Sequence, residues 1–228
     1  MKHIQVYILF LMSVFLNSCG DNQTNSPKEN IKSETKDKVT SPGSNERNVH
    51  TTYEYIDSIG KRLIIQNSVS WGGLKYTDPN GEVYVYAMFW TRIINETDNP
   101  MELKIHFPVD SYEVPSLPGK YYKILVPADT MTIDKEPLFN HGVTDLKSFL
   151  DSSIHKSSSL KRTIHPKESS GFYVVILCLV EGAHGTMRTG LSLKGQDLFY
   201  RIKNDGSKSN TKSSDKEINC GSINLNLK

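Results

Sequence analysis

Three cysteines, seven histidines and two tryptophans carry most of the chemical potential of this 228-residue chain. The usual motifs that organise such residues are missing. The sequence contains no G-x-S-x-G elbow, no H-E-x-x-H, no G-x-x-x-x-G-K-[ST] and no C-x-x-C. His184 lies in the loop-like "EGAHGT" and His106 on the polar face of "MELKIHF". Neither is accompanied by His, Asp or Glu at ligand spacing, so no metal or other cofactor is expected. Asp78, Asn80 and Glu82 begin like a calcium loop, but the rest of the twelve-residue pattern does not follow. A hairpin turn explains the same residues. Gly182, Gly185 and Gly190 lack the following helix that would make a phosphate loop. Trp71 and Trp90, with Tyr84, Tyr86 and the Tyr121-Tyr122 pair, remain as candidate ligand-binding residues. Exposed in line, such rings stack on sugars. The company of Met88 and Ile94 favours the other reading, a packed second face of a central strand.

The first cysteine stands apart from the others. Lys2 supplies a charged start and Ile4 to Leu16 an apolar run, the pattern of a secretory signal, and the run is too short to span a bilayer. Leu16-Asn17-Ser18-Cys19 resembles the lipobox of bacterial lipoproteins, with Asn17 departing from the small residue usual at that position. The resemblance implies cleavage before Cys19, a diacylglycerol thioether on its sulfur and acylation of the new amine. Each buried CH₂ contributes about 0.8 kcal/mol, so two or three chains make a stable membrane anchor. Gly20 is not the Asp of inner-membrane retention in enteric-type sorting. The localisation this implies is the cell envelope, and the outer membrane if the source is Gram-negative.

The elements behind the anchor follow from composition and periodicity. Residues 20–52 contain no aromatic residue and few aliphatics, too little apolar surface to offset ordering entropy. Residues 1–18 therefore read as signal, 19–52 as lipidated N-terminus and disordered tether, and 53–228 as one domain. Formal charge is +2, with acids and bases interleaved and no basic stripe, which excludes a nucleic-acid partner. In the domain, "GEVYVYAMFWTRIIN" is apolar on both faces, as in a central strand, whereas "MELKIHF" alternates as a half-buried one. The segments "RLIIQN", "SWGGLKY", "YYKILVP", "TMTIDK", "LKRTIHP", "GFYVVILCLV", "MRTGLSL", "LFYRIK" and "SINLNL" read as further strands. One helix is expected near 144–151, capped by Thr144, and a mobile loop over 203–219.

Many short strands with almost no helix indicate an all-β fold, an immunoglobulin-like β-sandwich, with a β-barrel as second choice. The phrases "WTRIINETDNPMELKIHF" and "TIHPKESSGFYVVIL" resemble the core hairpin and Pro-introduced strand of extracytoplasmic immunoglobulin-like domains of bacterial lipoproteins. That resemblance implies no site residue. In an oxidising compartment Cys178 and Cys220 form an even pair. A bridge would close a loop of about 40 residues and contribute about 2–4 kcal/mol; the alternative is two unrelated thiols. The functional expectation is a membrane-anchored, non-catalytic module for a protein partner or envelope assembly. The alternatives are a glycan-binding module and a hydrolase whose site is assembled from distant loops.

Overall fold

The computed structural model describes residues 48–57, 59–115, 117–206 and 213–225. The signal segment, Cys19, nearly all of the expected tether and residues 207–212 lie outside them.

Among the described residues thirteen strands form: β1 (Val49–Ile56), β2 (Arg62–Ser68), β3 (Trp71–Thr77), β4 (Val83–Asn95), β5 (Met101–Phe107), β6 (Tyr112–Glu113), β7 (Tyr121–Leu125), β8 (Thr130–Met131), β9 (Ser158–Ile164), β10 (Ser169–Leu179), β11 (Met187–Lys194), β12 (Asp197–Asn204) and β13 (Ser214–Leu225). They build two antiparallel sheets. The first runs β1-β2-β4-β10-β7-β6, with β3 added to β4 and β8 to β10; the second runs β11-β12-β13-β5-β9. The fold is all-β, with one short helix, α1 (Leu146–Ser153).

The centre of the first sheet is the long pair β4–β10, in register from Ser169↔Ile94 to Leu179↔Tyr84. Both strands are apolar on both faces because both faces are covered. Phe89 and Ile93 of β4, with Phe172, Val174 and Ile176 of β10, face the second sheet and its Leu103, Ile105, Tyr200 and Ile223. On the opposite face Tyr84, Tyr86, Met88 and Trp90 pack with Tyr173, Val175 and Leu177. This outer core is roofed by the connection between β7 and β9, which contributes Met131, Leu146, Leu150 and Ile154. The helix presents an i, i+4, i+8 apolar stripe to it. The continuous apolar run of β4 thus reflects two cores of unlike construction: sheet on sheet inside, helix and turns on sheet outside.

Four boundaries differ from the sequence expectation. β1 starts at Val49, so the domain begins before residue 53: Thr51, Thr52 and Tyr53 pair with Asn67, Gln66 and Ile65. An edge strand needs a hydrogen-bonding neighbour more than it needs apolar side chains. In the same way Ser214–Asn219 are strand, not loop, held to β12 by its ladder and the Arg201–Asp215 ion pair, with Lys194 at the end of β11 pairing Glu217. "TMTIDK" yields only the two-residue β8 and a 3₁₀ turn at Ile133–Lys135. β10 begins at Ser169 and offers β8 only Gly171 and Phe172 as partners. The helix begins one residue after Asp145, which stands at its N-cap with φ 49° and makes no side-chain capping bond, so Thr144 is not the cap.

Trp90 is 1% exposed between the sheet and its roof. Trp90→Ala is expected to destabilise the domain by about 3–5 kcal/mol, read by urea denaturation. Unchanged stability would show that the roof does not pack as described.

Candidate functional site

β3 is paired on one side only. Among the described residues its sole strand neighbour is β4, and a bulge between Gly72 and Leu74 interrupts that register. Gly73 takes the left-handed conformation at the bulge (φ 84°), which a side chain would strain. Beyond the bulge, Trp71↔Met88 and Leu74↔Tyr86 place Trp71 and Leu74 on the outer face of the sheet. There they meet the margin of the roof. The Trp71 and Phe139 ring centroids lie 6.1 Å apart, with ring planes at 85°. Trp71 is 39% exposed, Phe139 65% and Leu138, its neighbour, 51%. Large apolar residues gathered this way at one edge are the informative kind of exposure.

Phe139 is held out by a strained turn. Asn140 (φ 48°) and His141 (φ 51°) both adopt the left-handed conformation ahead of Gly142 (φ 74°). For residues other than glycine this costs about 1–3 kcal/mol each and persists only when surroundings over-determine it. Those surroundings are visible. Asn140 Nδ2 donates to the Tyr86 hydroxyl (3.3 Å) and the Tyr173 hydroxyl to the His141 carbonyl (2.8 Å). His141 Nδ1 lies 2.9 Å from the Glu136 carbonyl, which can only accept, so Nδ1 carries the proton. His141 is 1% exposed, and its Nε2 has no partner among the described groups; nor do Asn140 Oδ1 and Trp90 Nε1. Burial pushes the His141 pKa down, partly opposed by the Glu136 carbonyl and carboxylate.

The inner side of β3 borders a cleft of about 440 Å³, closed opposite by the Gly182–Met187 loop. Ser70, Tyr86, Tyr122, Cys178, His184 and Asn204 contribute to its lining, and none of the described lining residues is a carboxylate. Cys178 is no activated nucleophile: burial, helped by the Glu181 charge, pushes its thiol up to about 12. The cleft gathers a histidine and a thiol, but none of its described lining residues is a carboxylate that could orient the imidazole.

The structure sorts the sequence candidates. Trp71 reaches the surface, whereas Trp90 is buried in the outer core and presents no face to a ligand. Cys178 and Cys220 are separate free thiols, so the bridge does not form. Cys178 lies on the first sheet, close to where a side chain on Gly182 would point. Cys220 lies on the second sheet, and its thiol donates to the Leu198 carbonyl (3.5 Å). Asp78 serves its turn: its Oδ1 accepts the Asn80 and Glu82 amides at 2.9 and 2.8 Å. Among the described residues no three His, Cys, Asp or Glu gather as a metal site. Leu74, Leu138 and Phe139 were not singled out as part of a site, and His141 only as one of three histidines that could serve a hydrolase. The available signal was "FNHG", where Asn and His tolerate positive φ ahead of a glycine.

A histidine held neutral by burial contributes stability above its unfolded pKa near 6.5, and that contribution is lost as pH falls toward the lower folded value. His141→Asn, which keeps a residue tolerant of the left-handed turn, is expected to flatten the loss of stability between pH 6.5 and 5. Denaturation curves across that range check this; an unchanged slope assigns it to other groups, His50 among them.

No family model matches the chain, and no curated protein matches it either.

Proposed function

We propose that this is a lipid-anchored extracytoplasmic module, tethered through Cys19, that engages a protein partner at the outer margin of β3. The carrying observation is the coincidence of an unpaired strand edge with Trp71, Leu74, Leu138 and Phe139 exposed beside it. An extended segment added to such an edge gains main-chain hydrogen bonds, and its alternate side chains fall on opposite faces. Here one face offers the aromatic surface and the other the 440 Å³ cleft. The anchor rests on the lipobox resemblance at residues 16–19, and an outer-membrane localisation, for a Gram-negative source, on Gly20 following Cys19.

A glycan-binding module is the second reading, supported by the exposed Trp71. The ring geometry favours it less. With planes at 85°, Trp71 and Phe139 do not form the coplanar shelf on which successive sugar rings stack. A hydrolase finds less support still, since burial pushes the Cys178 thiol up to about 12 and no carboxylate is among the described residues lining the cleft it shares with His184.

A photo-crosslinking residue placed at Leu74 or Phe139 of the full chain, in its own envelope, is expected to give a discrete protein adduct. The same probe at Lys161, exposed on β9, gives none. A folded protein without adducts at either site overturns the partner reading. Cys19→Ser is expected to abolish fatty-acid labelling and move the chain to the soluble fraction; retention on membranes would show a different anchor.

A further inference from the structure

A second cleft, of about 290 Å³, lies at the other end of β10, where that strand begins. Its walls include Arg92, Arg162, Thr130, Thr132, Ser169 and Ser170. Arg162 reaches over from β9 in the second sheet. Its Nη1 donates to the Gly171 carbonyl (2.7 Å) and the Ser170 hydroxyl (3.2 Å). Its Nη2 lies 3.4 and 3.3 Å from the Ala128 and Asp129 carbonyls. Arg92 Nε donates to the Ser169 hydroxyl (3.2 Å). At the rim, Lys135 Nζ donates to the Thr130 carbonyl (3.0 Å).

What this arrangement lacks is negative charge. None of the ion pairs among the described residues includes Arg92 or Arg162. Asp129, Asp134 and Glu168, the acids nearest in sequence to the lining, pair with neither arginine. Arg162 is half-buried, and desolvation without a compensating anion pushes its pKa down. Desolvating a cation is costly unless it is paired. The serines point the same way. Each hydroxyl accepts its hydrogen bond from an arginine, so its own proton is left to donate, and no described group accepts it. Two guanidinium groups and two free hydroxyl protons therefore border one cavity whose acceptors among the described residues are neutral carbonyls and hydroxyls, with no carboxylate in the described lining.

We propose that this cleft binds a tetrahedral oxyanion, phosphate or sulfate, either free or as the terminal group of a larger molecule. A flat carboxylate suits one guanidinium approached in its own plane. The donors here come instead from two sheets and from consecutive residues of a strand, whose side chains diverge. An anion with oxygens in four directions suits donors arriving from different sides better than a planar one. The site is independent of the β3 surface.

The test is isothermal titration of the full chain in detergent with inorganic phosphate, sulfate, glycerol 3-phosphate and acetate. Saturable binding of phosphate or sulfate, and not of acetate, is expected. Arg92→Gln and Ser169→Ala alter side chains at the cleft mouth and should each weaken it, the arginine change by about tenfold or more. Binding of glycerol 3-phosphate as tight as that of the inorganic ion assigns the site to a terminal phosphoryl group; binding of the inorganic ion alone assigns it to the free ion. No saturable binding by a chain with normal thermal unfolding overturns the proposal. So does acetate binding equally well, or affinity unchanged in both variants.

Discussion

One amide joins the two sheets. Asn67 of β2 is 2% exposed, and its side chain does what a peptide group would do in a ladder. Its Nδ2 donates to the Leu191 carbonyl (3.1 Å) and its Oδ1 accepts the Leu191 amide (2.8 Å). Leu191 lies on β11, an outer strand of the opposite sheet whose free edge would otherwise bury unpaired groups. The same Oδ1 accepts from Thr91 (3.0 Å), which ties the contact to β4. Two residues along, the Leu193 amide donates to the Tyr55 hydroxyl (2.7 Å). Gly190 leaves room for this; a Cβ there would sit 3.3 Å from Asn67 Nδ2. Hydrophobic burial between two sheets is non-directional. These side-chain bonds fix the angle and offset at which the sheets meet.

The opposite flank is laced by different chemistry. Asn95, fully buried, donates to the Asn99, Ile164 and His165 carbonyls and so binds the end of β4 to the turn before β5 and the end of β9. Arg162 performs a similar task from β9 toward β10. The asymmetry is informative. Where the lacing is neutral, donors and acceptors balance and the flank is closed. Where it is cationic, a cleft remains and no carboxylate among the described residues lines it. The candidate surfaces accordingly lie where the layers end: β3, where the roof stops, and the start of β10, where the sheets part.

The alternation of "MELKIHF" and the two-faced run of β4 were legible because burial imposes period two on one and removes it from the other. The cover on β4 was not. Nothing in "TMTIDKEPLFNHG" announces that it abandons strand geometry after two residues. That depends on how short a partner β10 offers, a non-local fact. The edge strand β1 and the first half of β13 were under-read for a related reason: their polar residues are ordered by a neighbour's backbone, which composition does not register. Trp71 was visible as a candidate, yet its exposure and Trp90's burial were not separable, since both tryptophans precede or follow small and aromatic residues alike. The arginine cleft left no local trace because Arg92, Arg162 and Ser169 meet only through tertiary structure.

The roof enters and leaves the domain at one point. The Val126 amide, where it departs, donates to the hydroxyl of Ser158, where it returns (2.8 Å). Beyond β8, which is paired to β10, a segment whose ends are clasped in this way can loosen while the ladders of both sheets stay formed. Its helix is short, its turns carry left-handed backbone at Asn140, His141 and Asp145, and its buried apolar side chains pack on the outer core. It has the makings of a separate cooperative unit, opening at lower free energy than the sandwich beneath. Amide protons of α1 would then exchange by sub-global opening and those of β4 and β10 only by global unfolding. The surface at Trp71 would share the fluctuations of its neighbour while standing on a rigid strand.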